Sequence, residues 1–197
     1  LKSEIVQRDV NKNGVFDVSV TAVHAIHLTH VDIDLLAERS ACAVYCPPAH
    51  TIRGLGQTPV QLLQAAGVPV GIGTEGAESS YSLSMLQTVR DATLACGGSG
   101  EGAKRTDGLL EALRMATREG ANVMGFPLSG RIEAGYCADL VMIDTRRVHL
   151  TPFGDPLAAL AYGAANGDVS DVLVAGTWLL RKGELQTIDE ERVLQEV

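Results

Sequence analysis

Glu75, His24 and His50 are the residues of this 197-residue chain whose types and positions could act together. Glu75 closes the run Gly67-Val68-Pro69-Val70-Gly71-Ile72-Gly73-Thr74-Glu75-Gly76. Val68 to Ile72 read as a short buried strand, and α/β folds build their sites at the carboxyl ends of such strands. A buried strand has no structural need for an acid at its tip, so the acid points to chemistry. Gly73 and Gly76 are expected to let the backbone turn there and approach a ligand closely. His24 follows the β-branched run Asp17 to Val23, and His50 follows Cys46-Pro47-Pro48-Ala49, so both are read at strand ends. Two imidazoles and a carboxylate at successive tips are the ligands and proton shuttles of metal-assisted hydrolysis. His27 and His30 extend the pattern to His-x2-His-x2-His, but the strand context places only His24 at a tip. The other two read as surface or satisfied core histidines.

The elements that must position these groups alternate. Asp17–Val23 is a strand; Asp32–Arg39 a helix with Ile33, Leu36 and Ala37 on one face and Thr29 as its N-cap. Ala41–Cys46 is a second strand, halted by Pro47-Pro48. A helix starts at Pro59 and stops at Gly67, the Glu75 strand follows, and Ser82–Cys96 forms a longer helix. Three consecutive βα units call for a parallel sheet or part of a barrel. Past a Gly-rich link, Gly97 to Gly102, come a helix over Asp107–Glu119 and another over Ala121–Met124. A strand within 132–144 and a hairpin over Asp171–Arg181, turning at Ala175-Gly176, no longer alternate with helices and form a separate small β layer. The domain division is therefore 1–128, a partial barrel, and 129–197, a β-sandwich segment with a C-terminal helix.

Composition narrows the classes. Hydrophobic residues make up 46 % and charged residues 20 %, as in a packed globular protein, while 21 Gly and 4 % aromatics imply many turns around an aliphatic core. A net charge of −8 argues against nucleic acid as a partner. No run of 18 apolar residues is present, so no membrane partner is expected. The residues Leu1-Lys2-Ser3-Glu4 do not show the basic-then-apolar order expected of a signal peptide. Cys42, Cys46, Cys96 and Cys137 read as reduced thiols of a cytoplasmic protein.

The motifs taken in order resemble the amidohydrolase superfamily. They are Val23-His24-Ala25-Ile26-His27-Leu28, Cys46-Pro47, Ala65 to Ala77, Ser82-Leu83-Ser84-Met85, Ala116 to Ala121, Gly130 to Gly135, Ala138-Asp139-Leu140-Val141, Asp155-Pro156-Leu157 and Val172 to Gly176. The branch they are most similar to holds methylthioadenosine/S-adenosylhomocysteine deaminases, triazine hydrolases and guanine or cytosine deaminases. The resemblance implies strands six to eight of a (β/α)8 barrel, followed by strands of a composite β-sandwich. It implies one divalent metal, zinc or iron, and a small heterocyclic substrate (purine, pyrimidine or triazine-like) that is deaminated or dechlorinated by water. The histidine at the place of His24 positions that water, or binds a second metal in binuclear members. The acid at the place of Glu75 binds the metal and shuttles the proton. His50 and Ser79 are expected on the substrate side, with Arg53, Ser80 and Tyr81 near the rim.

Three departures from that pattern matter. The family's acid is aspartate, whereas here it is Glu75, whose extra methylene carries the carboxylate about 1.5 Å further; metal–ligand distances tolerate only about 0.2 Å. His50 stands where relatives usually carry asparagine. The family's His-x-His pair and its His with a Glu three residues on have no match in the chain. The expectation is a fragment that begins after the fifth strand and is inactive alone, its open edges covered by a missing N-terminal half or a homo-oligomer. The alternative is a non-catalytic amidohydrolase-like binding or structural protein with a degenerate metal site.

Overall fold

The computed structural model describes residues 14–96, 105–152 and 154–196. The Gly97–Gly102 link lies outside them. Strand β1 (Thr21–Val23), β2 (Cys42–Tyr45) and β3 (Val70–Ile72) form a parallel sheet in that order, with Ala22 opposite Ala43 and Val44 opposite Gly71. Parallel strands need helical crossovers. Here these are α1 (His30–Glu38), between the first two strands, and α2 (Pro47–Arg53) with α3 (Val60–Ala65), between the second and third. After β3 come α4 (Ala77–Ser80), α5 (Met85–Cys96), α6 (Arg105–Ala116) and α7 (Arg118–Val123). This is the order of three units of a (β/α)8 barrel.

Local chemistry explains most boundaries. Thr29 caps α1 in a reciprocal box: its side chain accepts from the Asp32 N–H while the Asp32 carboxylate accepts from the Thr29 N–H at 2.6 Å. Pro47 does end β2 as expected, but together with Pro48 it also starts a helix, because proline's fixed φ suits the first helical turn. One core gathers Ala43, Tyr45, Val70 and Ile72 from the sheet with Leu36, Leu63, Val89, Leu109, Ala112 and Met115 from the helices. β3 is buried along its whole length. A side chain at Gly71 would meet the Gly120 Cα at 3.3 Å, which lets α7 lie directly against that strand.

The second layer is an antiparallel sheet of β4 (Leu140–Ile143), β5 (Val169–Val174), β6 (Thr177–Arg181) and β7 (Glu184–Leu185), in that order. The β5–β6 hairpin turns at Ala175 and Gly176, with φ of 49° and 78°. Both lie in the left-handed region that such two-residue turns demand. The segment from α8 (Pro156–Ala158) through Gly163 returns toward the first layer, where Ala161 joins its core. A final helix, α9, spans Glu190–Glu196. Val23 on β1 and Val141 and Met142 on β4 remain exposed. Among the described residues β1 and β3 each carry an unpaired edge. No helix of the described residues is long and apolar enough to cross a membrane.

Candidate active site at the strand tips

The ladder places the tips side by side. His24 N–H donates to the Val44 carbonyl and Gly73 N–H to the Tyr45 carbonyl, each at 2.9 Å, so pairing continues one residue past each strand. Beyond it the backbone departs from ordinary conformations. His24, Ala25 and Glu75 have φ of 73°, 44° and 59°. Left-handed backbone is uncommon for residues that carry a Cβ and is concentrated at functional sites. Gly73 and Gly76, expected to make the turn, are not among the residues with positive φ; the left-handed position is Glu75 itself. Gly73 serves closeness instead, since a Cβ there would meet Val44 Cγ1 at 3.2 Å.

The candidate residues converge on Glu75. Its Oε1 accepts from the Ser79 hydroxyl at 3.1 Å and from Arg53 Nη1 at 3.4 Å, and lies 3.8 Å from His24 Nε2. Its Oε2 is buried without a partner among the described residues. On the far side of His24, its Nδ1 lies 2.9 Å from His50 Nε2. His50 does not sit at a strand end: α2 carries it inward, where it is 2 % exposed and tilted against both Tyr45 and His24. Burial, and next the neighbouring His24, hold the His50 imidazole below its ordinary pKa, while the Glu75 charge works the other way. Cys46, also buried, has its thiol pushed up to about 11 by burial and then by the Glu75 carboxylate.

Sequence reasoning missed one contributor. The buried Thr58 hydroxyl donates to the His24 carbonyl and pins the left-handed turn from the loop before α3. A polar residue just ahead of the Pro59 helix start was the only signal for it. Of the rim candidates, Arg53 and Ser79 reach Glu75. Ser80 instead bonds the Gly76 and Ser82 carbonyls, and Tyr81 stands 81 % exposed. His27 and His30 are exposed and take no part in the cluster.

The fit to a divalent metal is partial. The orphaned Glu75 Oε2 is an acceptor with an unmet need, and imidazole with carboxylate is a donor set that zinc accepts. A catalytic zinc site takes three protein donors. Among the described residues no group of three or more His, Cys, Asp and Glu side chains is placed to hold a metal ion. These residues alone therefore do not make a metal centre, and a complete one would need donors beyond them. Chemically, the arrangement offers a carboxylate that can accept a proton, an imidazole facing it, and a guanidinium that offsets its charge.

Comparison with known proteins gives this geometry a context. The model of the amidohydrolase family matches residues 6–179. A 5-methylthioadenosine/S-adenosylhomocysteine deaminase of Moorella thermoacetica is 40 % identical over 189 residues, covering 95 % of this chain and 44 % of that protein. Among solved structures, a zinc-bound adenosine deaminase from Xanthomonas campestris superposes with a TM-score of 0.79 at 33 % identity, over 89 % of this chain and 40 % of the other. Atrazine chlorohydrolase from Arthrobacter aurescens, complexed with zinc, does so with 0.80 at 26 % identity, over 96 % and 42 %. The chain thus spans less than half the length of the relatives it matches.

Proposed function

Because the chain belongs to the amidohydrolase family, we propose that it supplies the sixth- to eighth-strand part of a metal-dependent hydrolase that deaminates or dechlorinates a small purine, pyrimidine or triazine-like ring. The observation that carries this reading is Glu75: a carboxylate held at a strand tip in left-handed backbone, facing His24, with one oxygen buried and unmet among the described residues. In such an enzyme a zinc or iron ion lowers the pKa of a bound water to about 7. This chain's residues have simpler tasks. Glu75 provides a carboxylate oxygen and a place for the water's proton, His24 orients the oxygen nucleophile, and Ser79 and Arg53 hold Glu75 in its rotamer. His50 stands behind His24, one side chain away from any substrate. A division at residues 128/129 fits the same reading, since among the described residues the parallel strands precede it and the antiparallel strands follow.

A second reading has its own observation. Glu75 is one methylene longer than the family's aspartate, and its Oε1 already serves Ser79 and Arg53. A guanidinium beside the carboxylate can stand where a cation's charge is otherwise needed, which describes a metal site that has lapsed into a binding protein. One experiment separates the two. The product of the complete reading frame is incubated with 5-methylthioadenosine, S-adenosylhomocysteine or a chlorotriazine, and ammonia or chloride release is followed. The hydrolase reading expects turnover with at least one class, lowered about 100-fold or more by Glu75→Gln. Absence of turnover on all of them, in a protein that also holds no metal, leaves the second reading standing.

A further inference from the structure

The two histidines have exchangeable protons whose positions are coupled. A neutral imidazole has one N–H and one bare nitrogen. The 2.9 Å contact between His24 Nδ1 and His50 Nε2 needs one of each, so only two arrangements keep the bond. In one, both rings carry their proton on Nε2, and His50 donates to His24. In the other, both carry it on Nδ1, and His24 donates to His50.

We propose that His50 is a positioning residue that fixes His24 in its Nε2–H tautomer, so that His24 presents a hydrogen-bond donor to the Glu75 side of the site.

Two separate observations select this arrangement. His50 Nδ1 is buried with no partner among the described residues. A proton there would strand an N–H without an acceptor, whereas a bare nitrogen leaves only a weak acceptor unmet. Stranding a buried donor is worth about tenfold or more in population. On the other side, His24 Nε2 faces Glu75 Oε1 at 3.8 Å. An N–H pointing there is attracted to the carboxylate, while a bare nitrogen would set lone pair against lone pair. His50 is free to act this way because burial favours its neutral form. Its ring has no room to turn away, at 2 % exposure between Tyr45 and His24.

The consequence concerns what His24 does. With Nδ1 accepting from His50 and Nε2 protonated, neither nitrogen has a lone pair for a cation. His24 is then a donor to an oxygen in the site and not a metal ligand, and proton acceptance falls to Glu75. Recruiting His24 Nε2 to a metal would require both rings to switch and would bury the stranded N–H on His50. The functional half of this inference rests on the hydrolase reading above; the tautomer itself does not.

The test is the protonation state of each ring nitrogen in the 197-residue chain, labelled with 15N-histidine and read by two-bond proton–nitrogen correlation at pH 8. Single His→Gln replacements assign the five histidines. The expected result is protonated Nε2 and bare Nδ1 on both His24 and His50. A protonated Nδ1 on either ring overturns the proposal, and this wild-type spectrum decides even where a variant fails to fold. His50→Phe, of similar shape but without a donor, should move the His24 Nδ1 resonance toward that of an unbonded imidazole nitrogen. His50→Gln, whose amide N–H can serve the same atom, should restore it. An Nδ1 resonance of His24 that ignores His50→Phe also overturns the proposal.

Discussion

Glu75→Asn should make the protein more stable. The wild-type residue holds φ of 59°, a conformation that costs an ordinary side chain about 1–2 kcal/mol and that asparagine tolerates. Its Oε2 is buried without a partner among the described residues, at a cost of about 1–3 kcal/mol. Against this, the replacement loses the Ser79 hydrogen bond, about 1 kcal/mol, and the contact with the half-exposed Arg53, under about 1 kcal/mol. The balance is a gain centred on about 2 kcal/mol, or a rise in Tm of about 4–8 °C for a chain of this length. Urea denaturation followed by circular dichroism measures it as a higher midpoint at unchanged slope. A drop in the midpoint worth 1 kcal/mol or more would refute the reasoning. It would mean that Glu75 is a structural residue whose contacts outweigh its strain, and the argument from strain to function would lose its footing.

Other outcomes follow from the same geometry. Thr58→Val removes the buried hydroxyl that serves the His24 carbonyl and should lower stability by about 1–2 kcal/mol in urea, with the His24 ring resonances shifting while those of the exposed His27 stay put. Leu63→Ala, at a fully buried position of α3, should cost about 2–5 kcal/mol by the same measurement. With its pKa near 11, Cys46 should carry thiolate at only about one part in a thousand at pH 8, so iodoacetamide should label the exposed Cys137 first. Peptide mass spectrometry should find Cys46 modified only after urea is added. Asp168 is buried, and the Ala165 N–H, then His149 and Arg147, hold its carboxyl below the usual range. Its contribution to stability is therefore present above the ordinary carboxylate pKa and lost as pH falls through the lowered one. Asp168→Asn should flatten the acid limb of the Tm–pH curve below about pH 4.

The strand tips were legible because their signals are local. An apolar run that ends in an acid, or a β-branched run that ends in His24, declares a buried strand and a polar end without knowledge of the rest. The Thr29 cap and the Ala175-Gly176 turn were legible for the same reason. His50 was misplaced because Pro47-Pro48 is ambiguous in one dimension: the pair ends a strand and also begins a helix, and the helix carries His50 inward instead of along the rim. Thr58 left only a faint signal, because its partner is a backbone carbonyl distant in sequence. The glycines at 73 and 76 drew the turn to themselves by their propensity, yet the chain puts its left-handed residue at Glu75. That local rule is broken at the residue with the strongest chemical case, as expected where function outweighs foldability.

The central claim is that Glu75 is a metal-binding acid of an amidohydrolase site completed by donors outside the described residues. The direct measurement is the metal content of the complete reading-frame product by mass spectrometry, for wild type and Glu75→Ala prepared side by side and shown to be folded. The account predicts about one zinc or iron per wild-type chain, lost or strongly reduced in the variant. A wild-type protein without stoichiometric metal, or a variant that keeps all of it, would contradict the claim.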